Sequence, residues 1–211
     1  MITDPEIERY AEEHTSPFLE FMARVADDTR EHMRAPQMLI GELAGRFLEF
    51  LAFSLGARRV LELGTYSGYS AMAMASGMPP GGQVITCERD PDHATIARRN
   101  IAESPFAGMI EVREGPALDT IAELSGPFDL VFIDADKVGY PQYYEACLPL
   151  LADRGVMALD NMLRDGDVLQ PESSDESTRA LVALSDRIAE DPRVVQILLP
   201  LRDGLTLVHR A

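Results

Sequence analysis

Lys137 is the only lysine among the 19 Lys and Arg side chains of this 211-residue chain. Arginine stays protonated at any workable pH, whereas lysine can be tuned by its surroundings into a proton acceptor. The lysine closes the segment Phe132-Ile133-Asp134-Ala135-Asp136-Lys137, directly after an apolar run that reads as a buried strand. A second strand-like run ends in Leu159-Asp160-Asn161. Two parallel neighbouring strands would bring both ends to one sheet edge. Asp134, Asp160 and Asn161 would then offer three hard oxygen ligands. That set suits Mg²⁺, or another hard divalent cation such as Mn²⁺ or Ca²⁺, which keeps positions for water or substrate. No Cys/His spacing suggests zinc.

A second constellation precedes it. Glu62-Leu63-Gly64-Thr65-Tyr66-Ser67-Gly68-Tyr69-Ser70 joins a short strand to a helix. Glycines here let the backbone approach a ligand, and the helix start offers free N–H groups. Three residues separate the two glycines, so this is not the G-x-G-x-x-G turn of pyrophosphate-binding enzymes, and a nicotinamide oxidoreductase is disfavoured. Glu88 ends the next strand, placed to accept both hydrogen bonds of a ribose diol. A nucleoside site without a phosphate-binding pattern points to S-adenosyl-L-methionine.

These residues need an alternating scaffold. Helical spacing covers residues 5 to about 56 in several pieces, with Gly56 placed to end the last. Strands are expected at Arg59–Leu63, Gln83–Glu88, Ile110–Glu114, Phe128–Ile133 and Gly155–Leu159. Helices fall between them, near 70–77, 91–102, 118–124 and 140–151, with another over 177–190. Val194 to Pro200 and Gly204 to Arg210 read as a closing antiparallel pair around an Arg202-Asp203-Gly204 turn. The expected fold is α/β: a doubly wound, mostly parallel seven-stranded sheet with an antiparallel C-terminal strand, Rossmann-like, preceded by N-terminal helices. A single domain is expected over 1–211, with helices in 1–56 and the cofactor- and metal-binding core in 57–211. The polar, acidic stretch Arg164 to Ser177 reads as a surface loop able to cover a site. Met72, Met74 and Met78 read as core filler. His14, His32, His93 and His209 show no metal spacing and read as structural. Met162, Leu163 and Arg164, directly after the ligand candidates, are expected to wall an acceptor pocket.

The net charge of −16 argues against nucleic acid or an anionic membrane as partner. No apolar run reaches the roughly 18 residues of a membrane span. The start of the chain is acidic, without the pattern of a signal peptide. Cys87 and Cys147 lie in apolar segments without paired spacing. A reduced, cytoplasmic protein is expected.

With these segments in view, the chain resembles the metal-dependent class I O-methyltransferases of the catechol and caffeoyl-coenzyme A type, particularly small bacterial members. The resemblance runs from about Met33 to the C-terminus. It is carried by Val60 to Ser70, Phe132 to Lys137, Leu159-Asp160-Asn161 and Asp203-Gly204-Leu205-Thr206-Leu207. It implies Asp134, Asp160 and Asn161 as metal ligands, Lys137 as general base, and Asp134 as a second member of the catalytic centre. It implies cofactor contacts from Ile40, Glu62, Gly64, Tyr66, Ser70, Glu88, Ala117 and Asp134. Pro116, ahead of Ala117, departs from the family's loop because it lacks a backbone N–H. Arg34 and Met38 fall where residues covering substrate or cofactor are expected. The implied reaction moves a methyl from S-adenosylmethionine to one hydroxyl of a vicinal dihydroxy aromatic small molecule, with Mg²⁺ chelating the diol. A homodimer formed through the N-terminal helices is also implied. The competing readings are a metal-independent S-adenosylmethionine enzyme acting on a carboxylate or nitrogen, and a non-enzymatic acidic interaction protein retaining the fold.

Overall fold

A computed structural model describes residues 3–173 and 175–211. Met1, Ile2 and Ser174, parts of the acidic start and the acidic loop read above, lie outside the described residues. The chain begins with helices α1 (Pro5–Glu13), α2 (Glu20–His32) and α3 (Gly41–Leu55). The alternating part follows as β1 (Arg59–Leu63), α4 (Tyr69–Gly77), β2 (Gln83–Glu88), α5 (Pro91–Ala102), β3 (Ile110–Glu114), α6 (Ala117–Glu123), β4 (Phe128–Ile133), α7 (Tyr140–Cys147) and β5 (Leu151–Leu159). Helix α8 (Glu176–Glu190) and strands β6 (Val194–Leu199) and β7 (Leu205–Arg210) complete it.

The seven strands form one sheet in the order β3-β2-β1-β4-β5-β7-β6. The first five pair in parallel, while β7 runs antiparallel to both β5 and β6. The expected doubly wound sheet is therefore present. Side chains alternate across the strands, so neighbours in sequence feed different layers. Val60, Leu130, Phe132 and Ala158 enter the layer shared with α2, α3, α4 and α5. Leu61, Leu63, Val131, Ile133, Met157 and Leu159 enter the layer with α6, α7 and α8. Met72, Met74 and Met78 are buried in the first layer, as core filler should be. Cys87 and Cys147 are buried free thiols.

Local rules explain most boundaries. Gly56 closes α3 in the left-handed conformation at φ 58°, where glycine carries no Cβ penalty. Asp90 and Asp175 accept backbone N–H groups at the starts of α5 and α8, as N-caps do. The helix expected over 140–151 stops at Cys147. A single 3-10 turn, Leu148–Leu150, takes over at Pro149, whose ring and missing N–H do not suit a helix interior. Strand β5 consequently begins at Leu151, four residues earlier than the pattern suggested. Its pairing with β4 slips between Phe128 and Leu130. Residues 164–173 form short 3-10 turns before α8. No helix of the described residues is long and apolar enough to cross a membrane.

Candidate active site at the carboxyl edge of the sheet

Parallel register places the chemistry. Leu63, Ile133 and Leu159 are aligned partners at the ends of β1, β4 and β5. The residues that follow stay in step: Asp134 N–H donates to the Leu63 carbonyl at 2.8 Å, and Asp160 N–H to the Ile133 carbonyl at 3.0 Å. On the other side, Gly64 N–H donates to Cys87 O at 3.0 Å and Gly115 N–H to Glu88 O at 2.8 Å. Glu88, Gly64, Asp134 and Asp160 thus form a row along one edge. Strand order reverses between β1 and β4, and ligands of open α/β sheets bind outside the strand ends at such a point. A cleft of about 570 Å³ lies there.

The turn after β1 forms its floor. Gly64 has φ 96°, and a Cβ on it would run into the Asp134 carbonyl oxygen. Only glycine lets the β1 and β4 ends approach this closely. Tyr66 (φ 52°) and Gly68 (φ 84°) continue the turn in left-handed conformations. Glu88 braces it: one carboxylate oxygen accepts the N–H groups of Tyr66 at 2.8 Å and Thr65 at 3.2 Å, and the other accepts Asp90 N–H at 2.9 Å. The oxygen that accepts only from Asp90 keeps a further lone pair, so a carboxylate oriented this way can still accept from a ribose hydroxyl. The Tyr66 hydroxyl donates to the Ala35 carbonyl at 2.9 Å and ties the turn to the segment before α3.

Glu62 lies under this floor and does not itself line the cleft. The Thr86 hydroxyl donates to it at 2.5 Å, which leaves Thr65 as the donor in the 2.5 Å contact between the two threonines. Burial pushes the Glu62 carboxyl up to about 8, against the Ser70 and Thr86 hydroxyls and with help from the charges of Asp134 and Glu88. Its second oxygen is buried without a hydrogen bond among the described residues.

Beyond the floor stand the acids. Asp134 accepts from Lys137 Nζ at 2.7 Å. Lys137 Nζ also donates to the Tyr140 hydroxyl at 2.8 Å. That hydroxyl, fully buried, lies 3.0 Å from the carbonyls of both Ile133 and Asp160. Asp160 is buried, and desolvation first, then the Asp134 charge, holds its proton affinity well above the usual carboxylate range. Asn161 follows it in a left-handed turn at φ 58°. The donor set fits a hard divalent cation: two mutually repelling carboxylates and a neighbouring amide share one nearby ammonium. No group of three or more His, Cys, Asp or Glu suited to a metal occurs among the described residues, and here the third member is an amide.

Ile40, Gly64, Tyr66, Ser70, Glu88, Ala117, Asp134, Lys137, Asp160 and Asn161 all line this one cleft. Pro116 serves as the N-cap residue of α6, a position that does not use its missing N–H. Met38 and Arg164 also line the cleft, whereas Met162 is buried behind it; Arg34 and Leu163 are not among the lining residues. Sequence reasoning gave His93 only a structural role, yet its ring meets Tyr66 edge-on at 5.0 Å and faces the cleft. Its place five residues after Glu88, in the first turn of α5, was the available signal. Arg202, read only as a turn residue, and Tyr143 line the cleft as well.

Residues 12–211 match the model of a family described as O-methyltransferase. The chain is 40% identical over 171 residues to a catechol O-methyltransferase of Mycobacterium tuberculosis, covering 81% of this chain and 76% of that one. It is 35% identical over 181 residues to a catechol O-methyltransferase of Niastella koreensis, covering 82% of each. The fold superimposes on an O-methyltransferase of Bacillus cereus solved with SAH, at a TM-score of 0.90 and 32% identity, over 98% of this chain and 97% of that one.

Proposed function

The chain belongs to the O-methyltransferase family, as an S-adenosylmethionine-dependent enzyme of the catechol and caffeoyl-CoA type, and from that premise we propose that it methylates one hydroxyl of a vicinal aromatic diol at a site built from Asp134, Asp160, Asn161 and Lys137. The observation that carries this reading is the register of β1, β4 and β5, which puts two acids and the sole lysine on the rim of the cleft floored by the glycine turn.

Glu88 would hold the cofactor ribose, and the backbone from Gly64 to Ser70, with Ile40 and Ala117, would enclose the rest of the cofactor. Asp134, Asp160 and Asn161 would hold a divalent cation, Mg²⁺ by preference. When bound, such a cation acidifies a hydroxyl it touches and fixes the orientation of a chelating diol. Lys137 is the group that takes the proton. Its Nζ rests between Asp134 and Tyr140 on the rim of the cleft, and an amine placed there can accept a proton from a hydroxyl in the cleft. The cleft places an acceptor against the methyl donor, and that positioning supplies much of the acceleration. Exposed apolar side chains on the helices, Ile7, Tyr10, Phe50 and Phe53, support a homodimer, which light scattering on the purified protein would test.

The test of function is an acceptor screen with S-adenosylmethionine, run with Mg²⁺ and with chelator, products read by mass. Methylation of simple catechols that chelator abolishes and Mg²⁺ restores is the expected result. Turnover insensitive to chelator, or confined to carboxylates or amines, would replace this reading with metal-independent transfer.

A further inference from the structure

Two arginines stand on the wall of the cleft beside the acids, and both sit on unusual backbone. Arg164 has φ 46° and Arg202 φ 51°, the left-handed region that a residue with a Cβ enters only against a steric cost. They lie on separate loops that are stitched together. Met162 N–H donates to Gly204 O at 3.0 Å and Leu163 N–H to Asp203 O at 2.8 Å; Asp165 N–H donates to the Asp203 carboxylate at 2.5 Å. The strained conformations therefore belong to a fixed scaffold.

Among the described residues, neither guanidinium is used up. Arg164 reaches Asp175 at 3.3 Å through one terminal nitrogen, while its Nε is buried with no acceptor. Arg202 has a loose pairing with Glu8 at 4.0 Å. Its guanidinium lies over Gly41, where a Cβ would stand 3.7 Å from Cζ. In a protein of net charge −16, two cations with spare donors lining the same cleft as Asp160 and Asn161 are a selective feature rather than a general surface property.

We infer that Arg164 and Arg202 receive a carboxylate carried by the acceptor, so that the preferred substrate is a dihydroxyaromatic acid rather than a neutral catechol. This rests on the diol reading above. The guanidinium plane offers parallel N–H donors that match a carboxylate in a way a point charge does not. The acids at the cleft rim would repel such a substrate, and the two arginines lining the same cleft offset that repulsion.

The test compares kcat/KM for protocatechuic acid and for its primary amide, which keeps the ring and the diol and removes the charge. Wild-type protein, Arg202→Met and Arg164→Met are each assayed with both compounds, and the acid-to-amide ratio is read within each protein. A charge-assisted pair predicts a wild-type ratio of roughly tenfold to a hundredfold. Arg202→Met should bring it near unity through KM, Arg202→Lys should restore part of it, and Arg164→Met should lower it. A wild-type ratio at or below unity, or a ratio that survives both Met substitutions, overturns the inference while leaving the diol reading intact if the amide is still methylated. Methylation of neither compound by protein that binds S-adenosylmethionine overturns both.

Discussion

The Tyr140 hydroxyl takes a hydrogen bond from Lys137 Nζ at 2.8 Å while lying 3.0 Å from the carbonyls that end β4 and begin the loop after β5. One buried phenol thereby ties the lysine to the two strand ends that carry Asp134 and Asp160. Tyr140→Phe should keep the ring's packing and release the lysine. Because the two carbonyls lose a buried donor, stability should fall by about 1–3 kcal/mol. Turnover should fall by about tenfold with little change in KM, since a misplaced proton acceptor affects the reacting step more than ground-state binding. Steady-state kinetics beside thermal unfolding would check this; unchanged kcat in a destabilised variant would reduce Tyr140 to a structural role.

Lys137→Arg separates charge from proton transfer. Arginine retains the cation beside Asp134 but does not give up its proton. If Lys137 accepts the hydroxyl proton, kcat should drop by roughly a hundredfold to ten-thousandfold, with Lys137→Ala no better. Calorimetric binding of S-adenosylmethionine should stay near the wild-type value. An arginine variant with most of its activity would show that only the charge matters.

Cation binding should depend on pH in a defined direction. Burial and the Asp134 charge raise the proton affinity of Asp160. A cation needs the carboxylate, so binding must displace a proton whenever Asp160 holds one. Apparent Mg²⁺ affinity should therefore rise with pH and weaken by up to about tenfold per unit on the acid side. Calorimetry in two buffers of different ionisation enthalpy would read the released proton directly; equal heats and a flat pH profile would remove Asp160 from the site.

The parts of this site that could be read in the sequence are those fixed by strand ends. An acid after an apolar run announces a position on a sheet edge. Parallel order then brings Gly64, Asp134 and Asp160 together without any long-range information. What escaped was set by packing between loops. Arg202 lies on a turn whose length and Gly204 suggest only a connection, and its place on the cleft wall comes from three hydrogen bonds to residues 162–165. His93 faces the cleft because α5 starts immediately beyond Glu88, and a lone histidine in a first turn does not announce its direction. The early start of β5 depended on a slip in its pairing with β4, which no period in the sequence records.

Glu62 gives a stability prediction whose sign follows from its burial. Its folded carboxyl titrates at about 8, against 4.5 for the free group. The folded state therefore binds the proton more tightly than the unfolded chain. That contribution to stability is complete below the unfolded value and is lost as pH rises through about 8. Glu62→Gln cannot ionise and should flatten the fall in Tm between about pH 4.5 and about pH 8, ending several degrees above wild type at the alkaline end. Parallel Tm profiles for the two proteins would mean that Glu62 keeps the same charge throughout.

Gly64 allows two separate effects of a side chain to be told apart. Alanine there would suffer both a left-handed backbone at φ 96° and a collision with the Asp134 carbonyl oxygen. Gly81 supplies the control, with φ 81° and nothing within 4 Å of the added carbon. Gly81→Ala should lose only the conformational part, about 1–2 kcal/mol, and bind cofactor normally. Gly64→Ala must in addition push β1 and β4 apart at the row of strand ends. It should lose more stability than the control and weaken S-adenosylmethionine binding by tenfold or more, on the order of the 1.4 kcal/mol that a factor of ten represents. If both alanine variants bind cofactor equally well, the close approach of Gly64 to Asp134 is a matter of packing alone and does not shape the cofactor floor.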